Sequence, residues 1–197
     1  MMKICNPALF LDRDGVVVNE KGYITKTKDV NLIKGSAKLI REANLLGLNV
    51  FIVTNQSGIA RGFLNIQTYK KISKKIDLML KEKGALVTKT LFAPYHVDGK
   101  IKKYAIHHPD RKPGSGMILK LANEYNIDLS NSWMVGDNIT DYYCALNSNL
   151  KGFALVNTGI GENFKPALKN VKNNIIIRFI DNLLDFDLRK EFNIIAD

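Results

Sequence analysis

Cysteine is scarce in this sequence: Cys5 and Cys144 are the two among 197 residues. Two thiols so far apart make neither a disulfide framework nor a cysteine-rich zinc site, and each is expected to serve as a small buried hydrophobe. Long apolar runs are missing as well. None approaches the ~18 residues that a membrane span requires, and the charged Asp12 comes too early for a signal peptide, so the sequence reads as a soluble, cytoplasmic protein with no membrane partner. No linker, repeat or low-complexity stretch divides residues 1–197, which is long enough to bury a full core as a single domain.

Acidic residues are also in short supply. The 19 carboxylates against 29 Lys and Arg leave a net charge of +10, which favours anionic partners such as phosphorylated metabolites, nucleic acid or an acidic surface. Ten lysines face three acids between Lys70 and Lys103. Aromatic residues are not interleaved with them as a base-stacking platform requires, so the run reads as the solvated face of an amphipathic helix and nucleic acid is not the expected partner.

What the sequence does contain is organised around Ala8-Leu-Phe-Leu-Asp-Arg-Asp-Gly-Val16. An apolar run ends abruptly at two acids one residue apart, the pattern of a buried parallel strand whose carboxyl end emerges at the rim where open α/β sheets bind ligands. Asp12 and Asp14 repel each other unless a cation or a shared proton intervenes, and magnesium is the oxygen-seeking cation that fits. Asp-x-Asp-Gly therefore suggests a magnesium site in which one carboxylate attacks and its neighbour handles protons. A surface turn closed by Asp-Gly is the bland alternative.

The remaining chain favours the first reading. Glu20, Lys21, Gly22 and Tyr23 fall in a short loop over the rim, with Gly22 permitting a tight turn. Leu39, Ile40, Ala43 and Leu46 predict a helix stopped by Gly47. A second strand, Leu48 to Val53, delivers Thr54, Asn55, Gln56, Ser57 and Gly58, whose hydroxyls and free amides suit phosphate. Helical spacing predicts a helix over 67–83 and another from Met117 to Tyr125, with strands near Thr88 to Pro94, Ser132 to Gly136 and Gly152 to Val156. Arg111 and Lys112 come just before a helix start, where cations and unpaired amides both meet an anion. Asp137 follows the fourth strand, and Asp141 begins a helix. Asn174 to Ile177 reads as a short edge strand or loop anchor, and Ile180 to Phe186 as a helix, with a frayed helix after it. The alternation specifies an α/β fold, a three-layer Rossmann-like parallel sheet with helices on both faces. His96, His107 and His108 lie with Asp98 and Asp110 in the one long irregular stretch, without the tight spacing of a metal site.

Asp12-Arg-Asp-Gly15, Thr54-Asn55, Lys112 and Gly136-Asp137 with Asp141 resemble the four ordered motifs of the haloacid dehalogenase (HAD) superfamily. The stretches Phe10 to Gly15, Lys21-Gly-Tyr23, Val53 to Gly62 and Arg111-Lys-Pro113 are similar to its D-glycero-D-manno-heptose 1,7-bisphosphate phosphatases, small and essentially capless enzymes of heptose supply for lipopolysaccharide and related glycans. Histidinol-phosphate phosphatases are the nearest relatives, and polynucleotide-end phosphatases share similar catalytic domains. The resemblance implies a monomeric phosphatase acting on a small phosphorylated molecule. It makes Asp12 the nucleophile and Asp14 the proton donor, and it has Asp12, Asp137 and the Asp14 backbone carbonyl holding Mg2+. Thr54 and Lys112 would stabilise the phosphoryl group, and Arg111 would recognise substrate. Glu20, Lys21, Gly22 and Tyr23 would line the sugar phosphate together with Thr54, Asn55, Gln56 and Ser57. Two departures stand out. The family's zinc-loop cysteines and histidine are replaced by Ala93, Tyr95, His108 and Asp110, so structural Zn2+ is not expected, and Asn138 stands where the family usually has lysine.

Overall fold

Side chains along a strand alternate between faces, and each apolar strand here feeds two cores at once. In the computed structural model, which describes residues 5–20, 22–169, 171 and 174–195, β1 (Ala8–Leu11) sends Leu9 and Leu11 to one core and Ala8 and Phe10 to the other. β2 (Asn49–Asn55) divides Val50 and Ile52 from Phe51 and Val53 in the same way. The first core is closed by α1 (Ser36–Leu45) through Leu39, Ile40 and Ala43 and by α3 (Ile66–Lys81) through Ile72, Ile76 and Leu80, with the short α2 (Ser57–Ala60) between them in sequence. The second is closed by α4 (Gly116–Tyr125) and α5 (Ile139–Asn147).

The remaining strands are β3 (Lys89–Ala93), β4 (Trp133–Gly136), β5 (Gly152–Val156) and β6 (Ile176–Ile180). They join a six-stranded sheet in the order β3-β2-β1-β4-β5-β6, with every pairing parallel. Because all strands run the same way, all their carboxyl ends open on one rim, and the α/β three-layer architecture expected from the pattern is the one observed.

Two expectations are corrected. Ile180 ends β6 rather than starting a helix, and the following turn is a 3-10 helix at Leu183–Asp185 capped by Asn182; apolar residues alone did not separate an edge strand from a short helix. The frayed helix expected after it is α7 (Leu188–Glu191), whereas α6 (Lys165–Lys169) had no expectation. Cys144 is buried as expected, but Cys5 is exposed, because it precedes the strand instead of belonging to it. No helix among the described residues is long and apolar enough to cross a membrane.

Candidate active site

The site is built where β1, β2, β4 and β5 end. Asp12 follows β1 directly, and its N–H donates to the Val135 carbonyl at 3.0 Å, so the sheet ladder itself fixes its backbone. Asp12 Oδ1 accepts from the Arg13 N–H at 2.7 Å and forms an ion pair with Lys112 Nζ at 2.7 Å. Oδ2 is left without a donor among the described residues. Lys112, 2% exposed, lies between Asp12 and Asp141, whose Oδ1 is 2.6 Å from Nζ.

Lys112 comes from no strand, and Asn55 holds it in place. The Asn55 side chain accepts from the Lys112 N–H at 2.9 Å and donates to the Lys112 carbonyl at 3.0 Å. Asn55, expected at the sugar phosphate, thus spends its amide on the backbone of the site's cation. Asp141 has both oxygens engaged, one with Lys112 and the other accepting from the Asn138 N–H at 3.1 Å in a capping box that starts α5. Asn138, at the family's usual lysine position, therefore serves as a helix cap.

Asp137 sits at the end of β4 between two glycines. A Cβ on Gly15, which adopts φ +81°, would come within 2.0 Å of Asp137 Oδ2, and one on Gly159 within 1.8 Å. Only hydrogen at both positions leaves room for the carboxylate, whose Oδ2 accepts from the Ile160 N–H at 3.1 Å. One carboxylate oxygen from each of Asp12, Asp137 and Asp141 lies within 4.8 Å of the others, and all three residues are buried. Burial, reinforced by Asp141, pushes the Asp137 carboxyl up to about 7. Burial also raises Asp12 well above the usual carboxylate range, against the opposing pull of Lys112 and with the neighbouring acids adding to it. Burial alone would lower the Lys112 ammonium, but Asp12 and Asp141 outweigh it and keep Lys112 charged. Three buried acids against one lysine leave a deficit of positive charge in a donor set made entirely of carboxylate oxygen, the chemistry that suits a hard divalent cation. Each of the three residues offers one oxygen to such a cation.

Asp14 faces the same cavity from a separate network. Arg13, 3% exposed, donates to both of its oxygens, from Nε at 3.1 Å and from Nη2 at 2.9 Å. Gln56 Nε2 lies 2.9 Å from Asp14 Oδ2 and 2.9 Å from the buried Thr54 hydroxyl, and Gln56 Oε1 accepts from Arg13. Gln56 therefore ties Thr54 to Asp14.

A cavity of about 400 Å³ opens over these groups, large enough for a sugar phosphate. Glu20, Gly22, Tyr23, Ser57 and Arg111 line its mouth. Glu20 Oε1 accepts from the Gly22 N–H at 2.9 Å, and the Tyr23 hydroxyl approaches Ser57 Oγ at 3.5 Å. Lys21 lies outside the described residues. Where the resembling family places zinc ligands, His108 stacks on Tyr95 with centroids 3.8 Å apart, and Arg111 Nη1 donates to the Tyr95 carbonyl at 3.0 Å.

Comparison with known proteins gives this constellation a lineage. Residues 110–183 match a family described as HAD-hydrolase-like. A D-glycero-beta-D-manno-heptose-1,7-bisphosphate 7-phosphatase of Yersinia pestis is 39% identical over 153 residues, 78% of this chain and 81% of the relative. The chain belongs to the D-glycero-beta-D-manno-heptose-1,7-bisphosphate 7-phosphatase family. A HAD-like protein from Mesorhizobium loti superposes with a TM-score of 0.84 at 30% identity, covering 98% of this chain and 89% of that one. The D,D-heptose 1,7-bisphosphate phosphatase of B. bronchiseptica, solved with magnesium and phosphate, gives 0.76 at 28% identity over 90% of this chain and 93% of its own.

Within this phosphatase family's framework, the structure adds residues beyond the sequence candidates. Arg13 gave no signal, since a residue between two motif acids points away from them in a strand. Asp141 was visible in the motif and acquires its place by gripping Lys112. Gly159 and Ile160 follow β5, and the rule that every parallel strand ends on the same rim would have found them.

Proposed function

We propose that this chain is a magnesium-dependent phosphatase that removes the 7-phosphate of D-glycero-β-D-manno-heptose 1,7-bisphosphate through an aspartyl phosphate. The observation that carries the chemistry is the Asp12 carboxylate, with Oδ1 pinned by Lys112 and the Arg13 N–H and Oδ2 unengaged. Its substrate assignment is supported by the names and coverage of the relatives.

The pinned carboxylate is oriented for in-line attack, and a bond forms between Asp12 Oδ2 and phosphorus as the bond from phosphorus to the sugar oxygen breaks. Asp14 gives its proton to that departing oxygen, then takes one from the water that attacks the aspartyl phosphate and releases inorganic phosphate. Lys112, already charged and buried, lies against the oxygens that gain charge, with the Thr54 hydroxyl beside Asp14 through Gln56. Asp12, Asp137 and the Asp14 carbonyl would hold magnesium, which when bound offsets the repulsion between the carboxylates and the phosphoryl oxygens. Most of the acceleration comes from such positioning, because phosphoryl transfer asks little covalent chemistry of the protein.

A phosphate-release panel of heptose 1,7-bisphosphate, histidinol phosphate, other sugar phosphates and nucleotides, run with magnesium and with chelator, tests this. Heptose bisphosphate is expected to lead, with turnover lost in chelator and in the folded Asp12→Asn variant. A ranking led by histidinol phosphate or a nucleotide rejects the substrate, and normal turnover by Asp12→Asn rejects the nucleophile.

A further inference from the structure

One residue holds both acids at the end of β1. The Arg13 N–H donates to Asp12 Oδ1 at 2.7 Å, while its guanidinium grips the Asp14 carboxylate. The backbone half is clamped separately, since the Val17 and Val18 N–H groups donate to the Arg13 carbonyl at 2.8 and 2.9 Å. The side chain is seated as firmly. Its guanidinium carbon lies over the Tyr69 ring, 5.6 Å from the centroid, and the buried Tyr69 packs in turn on Phe92 with ring centroids 4.0 Å apart. A guanidinium held by both a ring and a carboxylate is fixed in direction as well as in place.

Donors and acceptors followed through the network show what that direction decides. An arginine has no acceptor, so Gln56 must turn its amide oxygen to Arg13 Nη2, from which Oε1 accepts at 3.1 Å. The amide nitrogen is thereby turned the other way, and its two hydrogens meet Asp14 Oδ2 and Thr54 Oγ1, each at 2.9 Å. Because the Thr54 oxygen accepts from Gln56, its own hydrogen is left for another partner. On Asp14, Oδ2 accepts from Gln56 Nε2 and also from Arg13 Nε at 3.1 Å, so both of its lone pairs are taken. Oδ1 accepts from Arg13 Nη2 at 2.9 Å and, among the described residues, from no other donor. The one acceptor site left on Asp14 is therefore on Oδ1.

We propose that Arg13 is a positioning residue for the proton donor: it turns Asp14 so that Oδ1 faces the departing oxygen, and through the Gln56 amide it turns the Thr54 hydroxyl towards the phosphoryl group. The inference deepens the phosphatase reading and rests on it for the roles of Asp14 and Thr54, but it does not depend on which phosphate ester is the substrate. As the bond from phosphorus to the ester oxygen breaks, its electron pair stays on that oxygen, and the proton carried by Asp14 Oδ1 passes to it. Arg13 acts through Asp14 and Gln56 rather than on the substrate. A lysine at position 13 keeps the charge, but its ammonium lacks the planar fork that spans both Asp14 oxygens and reaches Gln56, so the donor is left free to rotate.

The test compares kcat/KM of the parent and Arg13→Lys on the alkyl phosphate that the parent cleaves best and on p-nitrophenyl phosphate, both with magnesium. This ratio reports the steps through cleavage of the ester and leaves out hydrolysis of the aspartyl phosphate. An alkyl oxygen needs a proton as it departs, whereas nitrophenolate leaves without one, so a misdirected donor penalises the first substrate. The alkyl value should fall ~10- to 100-fold, mainly through kcat, and the aryl value by less than about 3-fold. Circular dichroism reads folding, and Arg13→Gln, for which the same split is expected, serves if the lysine variant does not fold. Equal losses on both substrates in a folded variant mean a purely structural role and overturn the proposal, as does a parental value on the alkyl phosphate. A parent inactive on every alkyl phosphate, sugar phosphates and nucleotides included, rejects the phosphatase reading and this role with it; an active parent leaves that reading standing whichever way the variant behaves.

Discussion

Replacing Asp137 with asparagine should make the metal-free protein more stable while destroying its function. The side chain is nearly isosteric, so it fits between Gly15 and Gly159, and its amide oxygen can still accept from the Ile160 N–H. What changes is the charge. Asp137 is 3% exposed, and its carboxyl lies at about 7 against an ordinary 3.8. An acid whose folded value is raised binds its proton more tightly in the native state, so stability falls as pH climbs from about 4 through 7, and the full cost is present above that. At about 1.4 kcal/mol per tenfold change, the gap corresponds to a cost on the order of 4 kcal/mol at pH 8, or roughly 10 °C of melting temperature for a chain of this size. Thermal melts of parent and Asp137→Asn in chelator at pH 5 and pH 8 read this directly. The variant should melt modestly above the parent at pH 5, where roughly 1.6 kcal/mol of the cost is already present, and well above it at pH 8, and magnesium should raise the parent at pH 8 but not the variant. A variant that melts at or below the parent at pH 8 without metal would show that the carboxylate is not held against repulsion, and the argument for a cation between Asp12 and Asp137 would go with it.

Other substitutions probe the supports of the same site. Lys112→Met leaves Asp12 and Asp141 buried with their shared cation removed, which should cost about 3–5 kcal/mol at pH 8. The loss should shrink at pH 5 as Asp12, whose carboxyl burial already raises, takes up a proton, as chemical denaturation at both pH values would record. Gly159→Ala puts a methyl group within 1.8 Å of Asp137 Oδ2; displacement of the carboxylate should lower kcat at least ~100-fold with an unchanged circular dichroism spectrum, and parental kcat would mean that Asp137 need not sit where it does.

Legibility of the sequence followed physical range. β1, β2, β4 and β5 were evident because a buried parallel strand is apolar on both faces, and Asp12, Asp14 and Asp137 were evident because they interrupt such strands at their ends. Lys112 lies on no strand; its position before a helix start marked it as an anion-binding cation, but not how it is seated, since the reciprocal bonds with Asn55 join residues 57 positions apart. Arg13 was invisible for a further reason: one partner, Asp14, is its neighbour and the other, Gln56, lies 43 positions away, and its direction depends on how the chain turns after β1 to let the Gly15 N–H donate to the Val18 carbonyl at 2.9 Å. The tail misled because Ile176 to Ile180 is an exposed edge strand whose only strand neighbour is β5, and neither period 2 nor period 3.6 is imposed on a segment buried on so little of its surface.

The same distances explain why the site is assembled from the middle of the sheet. Two parallel strands adjacent in space, β1 and β4, bring Asp12 and Asp137 side by side through main-chain pairing alone, with Leu11 registered opposite Val135. That placement is rigid, and it forces like charges together whether or not a ligand is present. The fold then adds the one lysine buried among the described residues from a loop, and it does so through a hydrogen-bonded peptide rather than a helix or strand, so the cation is positioned by Asn55 at the end of β2. The proposed nucleophile, fixed by the sheet, and a cation fixed through a neighbouring strand share one frame of reference, which is what in-line attack on phosphorus would require.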